Sequence, residues 1–449
     1  MRVVVVGGGA SGTLAALHLI RQASGIGAPL ALHIVEPDQI GRGVAYSTGN
    51  LRHRLNVPAA GMSALPEEPA HFVHWLRANY DPAFARGGFA PRAVFGAYLA
   101  DTVSRQLQAA ARVTWARHRS RAVDLRRHDQ GVAITLAGHQ VLEADAVVLA
   151  LGNGAATSSW VPPALRRSSR FVADPWRPGG LPQLSGGSTV LLVGTGLTMV
   201  DIAISYGHCQ VHTVSRHGLL PLAHAADPPP PPPPPAPAPL PAAPITAASV
   251  RRLVFGRIRE LDGDWRTAVD GMRPITQQLW SRLDGTARRE LLVHAQGRWE
   301  RVRHRMAPEL GAWLSARHEQ GLLTVRAASV VGARDTGASL IAELSDATSV
   351  QADLIVNCTG RCSVLDSGDP LVSGLLVRGS ARRDSLGLGF ATHPDGRLVS
   401  ADELPAWTLG QLRRGELWES TAIPEIRDQA AELAGSILAR ARAGTREVA

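Results

Sequence analysis

The sequence contains no lysine, so all 47 of its Lys/Arg residues are arginine. That absence excludes pyridoxal-phosphate Schiff-base chemistry and lysine nucleophiles. Cysteine is nearly as scarce. Cys209, Cys358 and Cys362 give no disulfide framework, no zinc-ligand spacing and no Cys-x-x-Cys redox pair. No apolar run reaches the roughly 18 residues of a membrane-spanning helix. The N-terminus enters a strand at Val3 without the layout of a signal peptide, so a cytoplasmic protein with no membrane partner is expected. The net charge of +9 points at first sight to nucleic acid. The arginines are, however, spread along the chain, with only short clusters at 117–127 and 298–305. Together with the many alanines and glycines they match the drift of a GC-rich genome, and no nucleic-acid partner is expected.

What is present is room and pattern. The 449 residues, 45% hydrophobic and 19% charged, suffice for two or three well-buried globular domains. Residues 2–6 (Arg-Val-Val-Val-Val) read as a buried parallel strand, Ser11 to Gln22 as a helix, and Leu30 to Val35 as the next strand, ending at Glu36. Between the first strand and the helix stands Gly7-Gly8-Gly9-Ala10-Ser11-Gly12. In such a turn the first glycine permits the tight bend and the second lets backbone approach a pyrophosphate. The third brings helix and strand together, and the helix N-terminus attracts the phosphates. Glu36 can accept the ribose hydroxyls. This is one βαβ dinucleotide unit.

A second unit follows. Ala146 to Leu151 is an apolar strand stopped at Gly152-Asn153-Gly154. Val190 to Val193 leads into Gly194-Thr195-Gly196-Leu197-Thr198-Met199, then a helix to about Tyr206 and a strand at Val211 to Val214. Met199 replaces the third glycine and should hold helix and sheet further apart. Ser215 and Arg216 replace the acid. Arginine there can clasp a 2′-phosphate, which favours NADPH; a plain surface arginine, and NADH, remain open. Leu354 to Val356 runs similarly into a turn at Gly360. Asp174-Pro175-Trp176, just ahead of the second unit, reads as a packed turn or as a cross-domain contact at the flavin. Pro228 to Pro235 is an unbroken proline run, an extended spacer, and residues 249–319 carry a helical apolar pattern.

Several stretches resemble one bacterial family of two-nucleotide flavoproteins, which includes FAD-dependent urate hydroxylase and flavin-dependent amino-acid N-oxygenases. They are Gly41-Arg42-Gly43-Val44-Ala45-Tyr46-Ser47, Leu55-Asn56-Val57-Pro58-Ala59, Phe89-Ala90-Pro91-Arg92, Gly194 to Asp201, and the long segment Leu409 to Arg427. The resemblance implies that Gly43, Tyr46 and Asn56 approach a flavin, and that Gly410, Thr421 and Ala422 close over its ring. Pro424 suits the first turn of a helix running to about Arg442, whose amides could face the flavin.

The expected fold is therefore α/β, with two Rossmann-like domains and a helical insertion. A discontinuous FAD domain (1–160 and 350–449) encloses an inserted NAD(P) domain (161–349), which holds the proline spacer (227–245) and the helices (249–319). Gly7, Gly9, Ala10, Ser11, Gly12, Glu36, Gly152 and Gly360 are assigned to the FAD site, and Gly194, Gly196 and Arg216 to NADH or NADPH. With no cysteine pair to take the electrons, reduced flavin is expected to react with oxygen at C4a and pass one oxygen atom to a small substrate. No metal is expected, and no side chain stands out as an acid or base. Arg92, Arg413 and Arg414 suit an anionic substrate. Urate, converted to 5-hydroxyisourate, is the leading candidate, with an amino-acid nitrogen as the alternative. A non-catalytic flavin-binding regulator is the reading from another class.

Overall fold

Strands rich in valine and leucine that run straight into glycine turns organise the molecule. The computed structural model describes residues 1–129, 131–226 and 245–447, with side chains up to 442. The chain enters as β1 (Arg2–Val6), turns into the helix Ala10–Gly25 and returns as β2 (Leu30–Val35). The helices His71–Asn79 and Arg92–Ala109 lead to β3 (Val113–His118). An antiparallel meander follows, β4 (Ala122–His128), β5 (Gly131–Leu136) and β6 (Val141–Ala144), and then β7 (Ala146–Leu149).

After a crossing come β8 (Phe171–Val172), β9 (Thr189–Val193), the helix Leu197–Ser205 and β10 (Gln210–Ser215). Beyond the insertion lie β11 (Leu323–Ala327), a second meander of β12 (Val330–Asp335), β13 (Leu340–Leu344) and β14 (Ser349–Ala352), and then β15 (Leu354–Asn357). The chain finally crosses back to β16 (Ala406–Thr408). The first sheet has the order β3-β2-β1-β7-β16 and the second β11-β10-β9-β15-β8, and their strand pairs are parallel. The two sheets repeat one plan: strand, glycine turn, helix, strand, a third strand, a meander and a returning strand.

This topology corrects one boundary. The return to the first domain was expected at residue 350, yet β15 pairs with β9 in the register Leu354↔Val190. It is the counterpart of β7, which pairs with β1. An apolar run reports burial, not the sheet in which it is buried. Gly360 therefore ends a strand of the second sheet.

Period-two alternation splits each sheet's core between its faces. Val3 and Val5 pack with Leu14, Leu17, Phe95 and the C-terminal Leu433 and Ile437. Val4 and Val6 face the first meander through Leu125 and Ile134. In the second sheet Leu192 meets Met199 and Leu314, whereas Leu191 and Val193 meet Leu340 and Leu344 of the second meander.

The helical stretch divides into two parts. The helix Pro308–Glu319 packs on the second sheet through Leu310 and Leu314. The helices between Ala247 and Arg303 form their own cluster around Met272, Leu279, Trp280 and Leu291. Side-chain caps from Thr246, Asp264 and Asp284 begin three of them. That cluster takes Trp418 from the C-terminal segment, whose ring lies 4.7 Å from Trp280. The last helix spans Ile423–Glu447, close to the extent expected. The proline run lies outside the described residues. No helix among those residues is long and apolar enough to cross a membrane.

Candidate functional site

A cleft of about 1130 Å³ opens at the carboxyl ends of β1, β2 and β7, where open α/β sheets bind their ligands. Its floor is the glycine turn. Gly7 has φ +100°, and a Cβ there would strike the Ala150 carbonyl; a Cβ on Gly12 would strike the carbonyl of Gly7. Gly9 faces Gly43, and a Cβ on Gly9 would lie 3.3 Å from the Gly43 Cα. The helix that follows starts at Gly9 with no side-chain cap and no acid in its first turn. Its first amides thus remain available to an anion.

At one end stands Glu36, whose carboxylate accepts from the amides of Gly8 at 2.6 Å and Asp38 at 2.9 Å. An ionised carboxylate has about four lone-pair sites, so the side chain is held in place with acceptor capacity left for a ribose. Arg42, Arg119 and Arg121 also line the cleft and supply positive charge. The residues present fit a dinucleotide: a backbone-lined phosphate cradle, an anchored acid and flanking arginines.

At the other end the cleft is walled by Tyr46, Gln411, Thr421, Ile423 and Ile426. Tyr46 is buried, which raises its phenol to about 12. Gly410 faces Ser11 and donates its amide to Gln429, whose own amide bonds the Ser420 carbonyl. Gln429 thereby fixes the two segments expected to close over the ring. It lies beyond the matched motif, and nothing in the sequence marked it.

Among the expected site residues, Gly7, Gly9, Ala10, Ser11, Glu36, Gly43, Tyr46, Gly152 and Thr421 line this cleft, whereas Asn56, Gly410, Ala422 and Gly360 do not. Gly12 acts beneath it by packing. The Asn56 carbonyl accepts from His224 at 3.0 Å. Gly360 accepts from the Thr157 amide, in the paired chains that join the two units.

The second glycine turn repeats the first. Gly194 has φ +111° and lies against the Cys358 carbonyl, while Gly196 starts the helix without a side-chain cap. Thr195 donates to the Leu219 carbonyl at 2.7 Å and lies 2.8 Å from the Ser215 hydroxyl. Arg216 is exposed at the end of β10, in the place Glu36 holds in the first unit. Met199 is fully buried in the second core.

Charged side chains bind the two units together. Arg92 pairs with buried Asp201 at 3.1 Å. Burial outweighs that partner and holds the Asp201 carboxyl at about 6. Beside them His53 is hydrogen-bonded to Thr48 at 2.8 Å and, across the interface, to Ser205 at 2.9 Å. Burial, then Arg92, pushes this imidazole down to about 4.

The three arginines expected to hold substrate have partners within the protein. Arg92 is committed to Asp201. Arg413 is buried and donates to the Pro394 carbonyl at 2.7 Å. Arg414 pairs with Glu300 of the insertion at 2.9 Å. None of them lines the cleft. Sequence adjacency to a flavin-closing segment does not reveal which way an arginine points. The insertion is further fastened to the same segment by two bidentate pairs, Arg303 to Glu419 and Arg273 to Glu425, which flank Thr421.

Two of the three cysteines, Cys209 and Cys358, are buried, and burial raises both thiols. A second hollow of about 620 Å³, beside Met1, Arg2, Leu30 and Asp145, lies at the amino ends of the strands, away from either glycine turn.

Residues 4–154 match a family model described as FAD-NAD(P)-binding. A search of curated protein sequences finds no match. Among solved structures, ornithine hydroxylase from Pseudomonas aeruginosa is similar, with 16% identity, 97% of this chain and 98% of that chain covered, and a TM-score of 0.63. Ornithine N-hydroxylase from Kutzneria sp. 744, solved with reduced FAD, NADP+ and L-ornithine, gives 15%, 98%, 99% and 0.63. The FAD-bound cadaverine monooxygenase of desferrioxamine biosynthesis from Erwinia amylovora gives 11%, 97%, 94% and 0.63. At these identities the likeness establishes the fold: two Rossmann-type units with helical regions, over nearly the whole chain.

Proposed function

We propose that this protein is an FAD-dependent, NADPH-driven monooxygenase that transfers one oxygen atom of O2 to the amine nitrogen of a small molecule. The observation that carries the proposal is the glycine-floored cleft with Glu36 at one end, facing a second nucleotide unit across the Arg92–Asp201 and His53–Ser205 contacts. When bound, the two nucleotides supply hydride transfer and oxygen activation. Glu36 takes the ribose of FAD, and the amides at Ala10 and Ser11 take its pyrophosphate. Tyr46, Gln411 and Thr421 wall the ring end and exclude water there. Arg216, exposed where an acid would reject a 2′-phosphate, favours NADPH.

The nitrogen substrate is favoured over urate on two grounds. The full-length structural neighbours are N-hydroxylases of ornithine and a monooxygenase of cadaverine. The arginines that urate would need are already bonded within the protein.

Purified protein is expected to be yellow and to be bleached by NADPH without oxygen. Readmitted oxygen should then yield a hydroxylamine from one of a panel of amino acids and diamines, measured by mass spectrometry against urate as control. Failure of both nicotinamides to reduce the flavin would sink the monooxygenase and leave the regulatory reading. Consumption of urate alone would restore the purine.

A further inference from the structure

The motif Asp174-Pro175-Trp176 precedes the second unit, and its indole belongs to the wall of the first unit's cleft. Its setting is rigid. Pro175 is buried. The Asp174 carboxylate accepts from the Trp176 amide at 3.1 Å and pairs with Arg361 at 2.7 Å. Arg361 in turn donates to the Gly154 carbonyl at 2.8 Å. Gly154 and Arg361 lie on the two chain segments that cross between the units, and these pair with each other at Ala156 and Arg361. Trp176 thus projects from a turn locked to both crossings.

The indole also meets His53, with ring centroids 5.8 Å apart and planes at 81°. His53 is no free ring. Thr48 holds one nitrogen from the first unit and Ser205 the other from the second. A buried imidazole spanning the interface therefore fixes an aromatic side chain on the cleft, on the side facing the second unit. Glu36 and Arg119 line the same cleft.

We infer that Trp176 is the aromatic wall that positions the nicotinamide end of NADPH against the first cleft, with His53 as the positioning residue that holds the indole. The inference rests on the two-nucleotide reading above and assigns one contact within it. Indole and pyridine rings favour offset or edge contact, which sets distance and tilt as well as affinity. Hydride transfer depends on that alignment.

The test uses the full-length, FAD-loaded protein, with NADP+ and NADPH as probes. Trp176→Ala is expected to weaken NADP+ binding, followed by the flavin difference spectrum, about tenfold, the effect of one lost aromatic contact. Anaerobic reduction by NADPH should slow by at least as much, while FAD content and reduction by dithionite stay unchanged. Trp176→Phe should restore most of both, and His53→Ala should shift both in the same direction by less. In the wild type NADP+ should quench a component of tryptophan emission that Trp176→Phe lacks. Unaltered NADP+ affinity and reduction rate in Trp176→Ala overturn the inference alone, as does loss of FAD from that variant, which would assign the indole to the flavin. A wild-type protein that neither binds NADP+ nor accepts hydride overturns the functional reading, and this inference with it.

Discussion

The two nucleotide units share a topology and differ in tightness. In the first, Gly12 meets the Gly7 carbonyl so closely that no side chain fits between helix and turn. In the second, Met199 holds the equivalent place and is fully buried among Val190, Leu192 and Leu310. A buried apolar side chain there stands where the first unit has bare backbone. The strand-end residue differs as well: Glu36 is anchored by two amides, whereas Arg216 is exposed. The two units thus differ at the third position of the turn and in the charge at the end of one strand.

That contrast can be broken in graded steps. Gly12→Ala should be the most damaging change, costing more than about 4 kcal/mol because backbone has no room to yield; the protein should be recovered without flavin, as read by absorbance. Arg92→Ala comes next. It leaves the buried Asp201 carboxyl without its partner and should cost about 3–5 kcal/mol in urea unfolding, whereas Asp201→Asn, which leaves the charge only on the less buried Arg92 beside a hydrogen-bonding amide, should cost clearly less. Met199→Ala should cost about 3 kcal/mol through the cavity it opens, while flavin content stays normal. Equal flavin loss in the Gly12 and Met199 variants would erase the distinction between the units.

Acid should act through the interface. His53 and His224 are pushed to about 4 by burial, below their unfolded value near 6.5. The unfolded chain takes up these protons first, so the stability they contribute is present above 6.5 and lost as pH falls toward 4. Asp201, raised to about 6, works in the opposite sense: its contribution is present below about 4 and lost as pH rises through 6. The two histidines prevail, and His53→Gln should recover about 2 kcal/mol of the acid loss in denaturation curves at pH 7 and 4.5. Smallest of all, Arg216→Ala should raise the KM for NADPH about tenfold and leave that for NADH unchanged, the effect of one charge-assisted contact.

Much of this was legible beforehand because it rests on local chemistry. Val3 to Val6, the glycine turn and Glu36 declare themselves by type and spacing, and the cleft forms around them. Trp176 was visible as a motif but not as a wall, since only the pairing of the crossing chains directs it there. Gln429 and the Arg303–Glu419 pair carry no sequence signal, because a glutamine or arginine in a helix reads as solvated surface, and Glu419 lies 116 residues from Arg303. The same limit misplaced β15, whose burial was evident and whose neighbours were not. The protein partners of Arg92, Arg413 and Arg414 were hidden for that reason too: an arginine's charge is local information, and its partner is not.

The first unit is completed by pieces that follow the second unit in the chain. β16 and the helix Ile423–Glu447 close it, and Ala430, Leu433, Ala434 and Ile437 share a core with Leu14, Leu17 and Ile20 of the helix near the start. During synthesis that early helix leaves the ribosome with an apolar flank bare, and the whole second unit must emerge before its cover arrives. Aggregation of the nascent chain is therefore expected to be favoured until residues 406–447 have emerged. A truncation that removes only the final helix should fail as an insoluble product, although every residue of both glycine turns would still be present.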